Sequence, residues 1–269
     1  MPSSKPTLVL VPGSFALPEF YSNVVSAVKQ AGYDIHTIHN LSTGLKANEG
    51  RPEGPHDMYE DAAQIAETIS KLSDEGKDIV LFAHSYGGVP ATESLKGLSK
   101  EAREKDGKKG GVVRIAYMTC IVPAVGATAA LGEVPEETRM GINGYGLEID
   151  EQGWMHHSDL ARSARICYTD LSPEQGQAWM AKFPAHAAIS FGQELTYAGY
   201  NDVPVSWLLC EKDLCIPDYF QRAAIEMIEK GSGRKVDVTS IDADHIPVAP
   251  ENPKVGEAIQ WFLDTAAKA

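Results

Sequence analysis

A chain of 269 residues, 43% of them hydrophobic, is long enough to bury one large core without metals or disulfides to hold it. Its formal net charge of −13 repels nucleic-acid phosphates and anionic membranes at long range, which excludes both as expected partners and leaves a small-molecule substrate. No stretch approaches the roughly 20 continuous apolar residues of a spanning helix, and the opening MPSSKPTLVL has no signal-peptide core, so the expected location is the cytoplasm.

Apolar, β-branched runs predict strands at 7–11 (TLVLV), 33–38 (YDIHTI), 78–83 (DIVLFA), 112–118 (VVRIAYM), 204–210 (PVSWLLC) and 235–241 (KVDVTSI). Continuous rather than alternating hydrophobicity is expected of strands covered on both faces, hence a mainly parallel sheet. Between them, Met58, Ala62, Ile65, Ile69 and Leu72 recur at steps of four and three and predict a helix that stops near Gly76. Val255, Ile259 and Phe262 predict another close to the C-terminus. The alternation gives an α/β fold with a doubly wound sheet.

Two segments break this rhythm. The run SKEAREKDGKKGG at 99–111 has mixed charge and no apolar period, and is expected to be a solvated connection. Residues 124–200 hold no strand-like run but several short helical patterns and scattered aromatics. They are expected to form a helical cap, inserted between a core made of residues 1–123 and 201–269.

The stretch DIVLFAHSYGGVP, residues 78–90, reads as strand, tight turn and helix with a serine at the tip. A serine turned so sharply needs small neighbours two residues away on either side, and Ala83 and Gly87 occupy those places. A serine that merely caps a core helix would read the same in this stretch alone. What separates the two readings is whether the chain supplies a base and a carboxylate to activate the hydroxyl.

Both follow, in the order Ser85, Asp213, His245. Asp213 lies just past the strand PVSWLLC, and His245 just past KVDVTSI, at the sheet edge where open α/β sheets gather their sites. Glu211, Asp218, Asp242 and Asp244 compete for the carboxylate role. Two backbone N–H groups are then needed for an oxyanion; Tyr86, after the serine, and Ser14, in the turn after the first strand, are the candidates. That turn, VPGSF, lacks the lysine and spacing of a phosphate loop.

With these residues the sequence resembles the α/β-hydrolase superfamily, and within it the small plant-type methylesterase and hydroxynitrile lyase branch. The matching stretches are LVLVPGSF, LFAHSYGG, LLCEKDLCIPDYFQ and DADHIPVAPENP, which run from the first strand to the last helix. The resemblance implies Ser85 as nucleophile, His245 as base and then acid, Asp213 as its orienting carboxylate, Ser14 and Tyr86 as oxyanion donors, and no cofactor. The family's usual His-Gly before the oxyanion residue reads Pro12-Gly13 here. Lyase members of the branch carry a threonine in the oxyanion loop and a lysine after the catalytic histidine, where this chain has Gly13 and Ile246, so the resemblance implies hydrolysis of an ester or lactone over carbon–carbon cleavage.

Phe15, Trp154, Tyr168, Trp179 and Ile246 are candidates for the pocket wall, with Phe183, Phe191 and Tyr197 near them in sequence, and their number suggests an apolar or aromatic substrate. The four cysteines lack metal-site spacing, and His156-His157 point too far apart on a helix to chelate one ion, so no metal is expected. A homodimer is left open. A non-hydrolytic lyase or cyclase, and a binding protein with little turnover, are the alternatives that share this sequence pattern.

Overall fold

The computed structural model describes residues 5–129 and 142–269. The first apolar run forms β1 (Thr7–Val11), and α1 (Ser22–Gln30) crosses back to β2 (Ile35–Thr37). A short strand, β3 (Thr43–Ala47), precedes α2 (Met58–Asp74). This helix opens on a capping box between Asp57 and Glu60, and the chain turns away at Gly76, whose φ of 84° suits a residue without Cβ. Met58, Ala62, Ile65, Ile69 and Leu72 line its buried face, as their spacing predicts.

The serine turn follows β4 (Asp78–His84) and leads into α3 (Gly88–Glu93), α4 (Lys100–Lys105) and β5 (Gly111–Met118). Beyond lie β6 (Leu147–Ile149), β7 (Trp154–His157), α5 (Leu160–Cys167), α6 (Pro173–Met180) and β8 (Pro184–Ala187). The chain closes with β9 (Val205–Cys210), α7 (Asp218–Ser232), β10 (Asp237–Ile241) and α8 (Val255–Ala267).

Six strands form one sheet in the order β10-β9-β5-β4-β1-β2, with every neighbouring pair parallel. Both faces are covered. Val9 and Val11 of β1 pack with Ile65, Ile69 and Ile228 on one side, while Leu8 and Leu10 pack with Val24, Val28 and Phe262 on the other. This two-sided burial is why the strand sequences read as unbroken apolar runs. The winding reverses between β1, from which the chain steps outward to β2, and β4, from which it steps the other way. A crevice opens outside the carboxyl ends of strands at such a switch point. There, Gly13 to Phe15 follow β1 and Ser85 follows β4.

The segment expected to be a helical cap carries α5 and α6 but is not helical throughout. The strands β6, β7 and β8 form a second, antiparallel sheet in the order β3-β8-β7-β6, with β3 supplied from before α2. These strands are only three to five residues long, too short to show a period, and β3 meets its partner 143 residues away, with Thr43 opposite His186. Residues 130–141 of the expected cap lie outside the described residues.

The mixed-charge run 99–111 also differs from a plain connection. Ser99 caps α4, and Arg103, only 2% exposed, bonds Asp74 at 2.6 Å and the carbonyls of Lys109 and Gly110. On α8 the buried face centres on Ala258, Trp261, Phe262 and Thr265, with Val255 and Ile259 at its edge.

Candidate active site

Ser85 has φ of 53°, a left-handed conformation that a side chain with Cβ rarely adopts and that lifts its hydroxyl out of the turn. The small neighbours are explained by close approach. A Cβ on Gly87 would stand 2.4 Å from the Pro12 carbonyl oxygen, and one on Gly88 2.6 Å from that of Ile121. Packing of the serine turn against the loop after β1 therefore dictates glycine at position 87, and packing against the residues that follow β5 dictates it at position 88.

The structure brings Ser85, His245 and Asp213 together from three different strand ends. Ser85 Oγ lies 2.9 Å from His245 Nε2, and His245 Nδ1 lies 2.7 Å from Asp213 Oδ2. A carboxylate only accepts, so Nδ1 carries the proton and Nε2 is free to take one from the serine. Of the competing carboxylates, Glu211 is exposed, Asp218 pairs with Arg222, Asp242 pairs with Lys212, and Asp244 is held by the amides of Asp170 and Ile246.

Asp213 is buried and fully bonded. Its Oδ1 accepts the amides of Cys215 at 2.7 Å and Ile216 at 2.8 Å, and its Oδ2 also accepts the Thr119 hydroxyl. Burial alone would disfavour a protonated His245, but the charge of Asp213 and its hydrogen bond outweigh burial, and the histidine pKa rises above its ordinary value. Thr119, itself at φ 41°, is a contributor that the sequence reading missed. The only signal was a polar residue at the carboxyl end of β5, next to the switch point.

The amides of Ser14 and Tyr86 find no protein acceptor among the described residues. Tyr86 stands in the first turn of a short helix, where leading N–H groups lack intrahelical partners. The loop that holds Ser14 touches Ser85: a Cβ on Gly13 would lie 3.0 Å from Ser85 Cβ. Two unpaired donors thus flank the serine, on the loops from which an oxyanion could be held.

Beside these groups is a cavity of about 580 Å³, within the range for small-molecule sites. Phe15, Tyr168, Trp179, Phe183, Phe191 and Ile246 line it, together with Ser14, Ser85 and His245. No Asp, Glu, Lys or Arg lines it among the described residues. Trp154 is elsewhere: it packs with Ala185 and Ala187 in the small sheet, and its ring fills the space over Gly50. Tyr197 instead donates to Asp202 at 2.7 Å. The Tyr86 ring points away from the cavity and donates to buried Asp61 at 2.8 Å. His156 bonds Asp150 and Asn48, whereas its neighbour His157 faces the cavity and packs against Phe15. Among the described residues, no three His, Cys, Asp or Glu side chains are grouped to hold a metal ion.

A family model described as "Alpha/beta hydrolase family" matches residues 8–256. The chain belongs to that family. It is 31% identical over 257 residues to a probable hydrolase of Phoma sp., covering 95% of this chain and 97% of the relative. It is 26% identical to the alpha/beta hydrolase nvfD of Aspergillus novofumigatus, covering 90% of each. Among solved structures, a pyrethroid hydrolase from Sphingobium faniae superposes with a TM-score of 0.69 at 21% identity, over 98% of this chain and 99% of the other. A methylesterase from Arabidopsis superposes with a TM-score of 0.69 at 14% identity, over 98% and 100%. These structures share the fold of this alpha/beta hydrolase, including its mainly parallel sheet with helices on both faces.

Proposed function

We propose that this alpha/beta hydrolase is a serine carboxylic ester hydrolase that cleaves an uncharged, largely apolar or aromatic ester or lactone. The observation that carries the reading is the continuous hydrogen-bonded series Ser85–His245–Asp213 opening onto a 580 Å³ cavity with no charged side chain among its described lining residues. A charged substrate would lose its hydration there and find no counter-charge.

In this reading Ser85 Oγ attacks the ester carbonyl as His245 Nε2 takes its proton. The amides of Ser14 and Tyr86 hold the oxyanion, and His245 passes the proton to the departing alkoxide. Water then adds to the acyl-serine by the same route in reverse, leaving acid, alcohol and free serine. Asp213 keeps the imidazole in the required tautomer and offsets the charge it gains. The side chain after His245 is Ile246, in the cavity wall, and among the described lining residues there is no Lys or Arg to hold a departing anion such as cyanide. This favours hydrolysis over lyase chemistry.

Turnover of a graded series of neutral aryl and alkyl esters, each compared with a carboxylate-bearing analogue, tests the proposal. Neutral esters should be hydrolysed, with kcat/KM lower by at least roughly tenfold for the charged analogues. A folded protein that hydrolyses none of the neutral esters, or that prefers the charged ones, contradicts it.

A further inference from the structure

His84, immediately before the nucleophile, and Tyr21, at the end of the turn Pro18–Tyr21, are 3% and 2% exposed. They form an unbroken chain of hydrogen bonds. The Gly13 amide lies 3.0 Å from Tyr21 Oη, Tyr21 Oη 2.6 Å from His84 Nδ1, and His84 Nε2 2.9 Å from the His245 carbonyl oxygen.

The two ends settle where the protons are. An amide only donates, so Tyr21 Oη accepts from Gly13. A carbonyl only accepts, so His84 Nε2 carries a hydrogen. The neutral ring then has a bare Nδ1, and Tyr21 donates to it. Burial, reinforced by the neighbouring His245, lowers the His84 pKa to about 3, so the ring is neutral at ordinary pH.

Buried polar groups must find partners in any protein, and a satisfied core histidine is the ordinary case. What distinguishes this pair is where the chain ends. Gly13 directly precedes Ser14, a proposed oxyanion donor, and Gly13 itself abuts Ser85. The other end is the backbone of His245, whose carbonyl meets no other donor among the described residues.

We propose that Tyr21 and His84 are positioning residues, a brace that holds the oxyanion loop and the His245 loop at a fixed separation across Ser85. The proposal rests on the serine-hydrolase reading above. The brace moves no proton and touches no reacting atom. It holds the Ser14 amide and His245 Nε2 in place as Ser85 Oγ adds and the ester carbonyl carbon becomes tetrahedral, when a displacement near 1 Å costs on the order of 10²-fold in rate.

Tyr21→Phe, His84→Leu, His84→Gln and the double variant Tyr21→Phe/His84→Leu test this, with the concentration of competent sites titrated by a fluorophosphonate. Per titrated site, Tyr21→Phe and His84→Leu should each lower kcat on the order of 10²-fold with KM little changed, and slow phosphonylation by a similar factor. His84→Gln, which keeps a donor for the His245 carbonyl, should recover most of the loss. The double variant should be little worse than either single one, because each single change already breaks the chain. If both single variants lose thermal stability but keep native kcat per titrated site, or if their effects multiply in the double variant, the brace is overturned while hydrolysis stands. If the native protein takes no adduct, the hydrolase reading fails and the brace fails with it.

Discussion

Asp61, wholly buried in the first turn of α2, accepts the hydroxyl of Tyr86 at 2.8 Å, and so ties the residue after Ser85 to a carboxyl group that never meets solvent. Asp61 also accepts the amide and the hydroxyl of Ser42, at 3.0 and 2.5 Å. Tyr86→Phe removes one of these donors but keeps the backbone amide proposed to hold the oxyanion. Stability should fall by about 1–3 kcal/mol in denaturant titration, with a much smaller change in kcat. A large loss of kcat at unchanged stability would show that the hydroxyl contributes to turnover and not only to packing.

The raised pKa of His245 fixes the acid side of the rate profile. The base must be neutral to accept the serine proton, so kcat/KM for a neutral ester should fall as pH drops through an inflection above the ordinary histidine value of 6.5. Asp213→Asn removes the charge that raises the pKa. The inflection should move to lower pH, and kcat should drop by roughly 10³–10⁴-fold, as the tautomer is no longer held. An inflection that stays in place would separate Asp213 from the titrating group.

Asp244 sits beside His245 and accepts the amides of Asp170 and Ile246 and the Asn252 side chain, yet burial raises its pKa to about 6. The folded protein therefore holds a proton that the unfolded chain has released between pH 3.8 and about 6. Its contribution to stability is greatest below the unfolded value and is lost as pH rises through about 6, at about 1.4 kcal/mol per unit. Asp244→Asn should flatten that slope in unfolding free energies measured across this window. An unchanged slope would assign it to other groups.

Gly87→Ala places a Cβ 2.4 Å from the Pro12 carbonyl oxygen, so the loop after β1 or the serine turn must move. A cost of about 1–3 kcal/mol in stability is expected, together with a fall in kcat larger than that in Tyr86→Phe, since the displaced loop carries Ser14. Native kcat in a folded Gly87→Ala protein would contradict the close coupling of these two loops.

The six-strand sheet was legible because Leu8, Val9, Leu10 and Val11 are all buried, alternately on opposite faces, and such strands announce themselves as continuous apolar runs. The serine, aspartate and histidine were legible because each follows one of those runs. The small sheet was not, since Leu147–Ile149 is too short to show a period and Thr43 pairs with a residue 143 positions away. For the same reason Trp154 read as a pocket aromatic, although its ring covers Gly50. Thr119, Tyr21 and Asp61 were missed because each acts on a residue distant in sequence: Tyr21 reaches His84 across 63 positions and Thr119 reaches Asp213 across 94. Nothing local marks such a partnership.

Whether Ser85 is an activated nucleophile is tested, without knowledge of the substrate, by intact mass after treatment with a fluorophosphonate. One stoichiometric adduct is expected on the native protein and none on Ser85→Ala, with much slower labelling of Asp213→Asn. No adduct on the folded native protein, or an adduct that persists in Ser85→Ala, would contradict it.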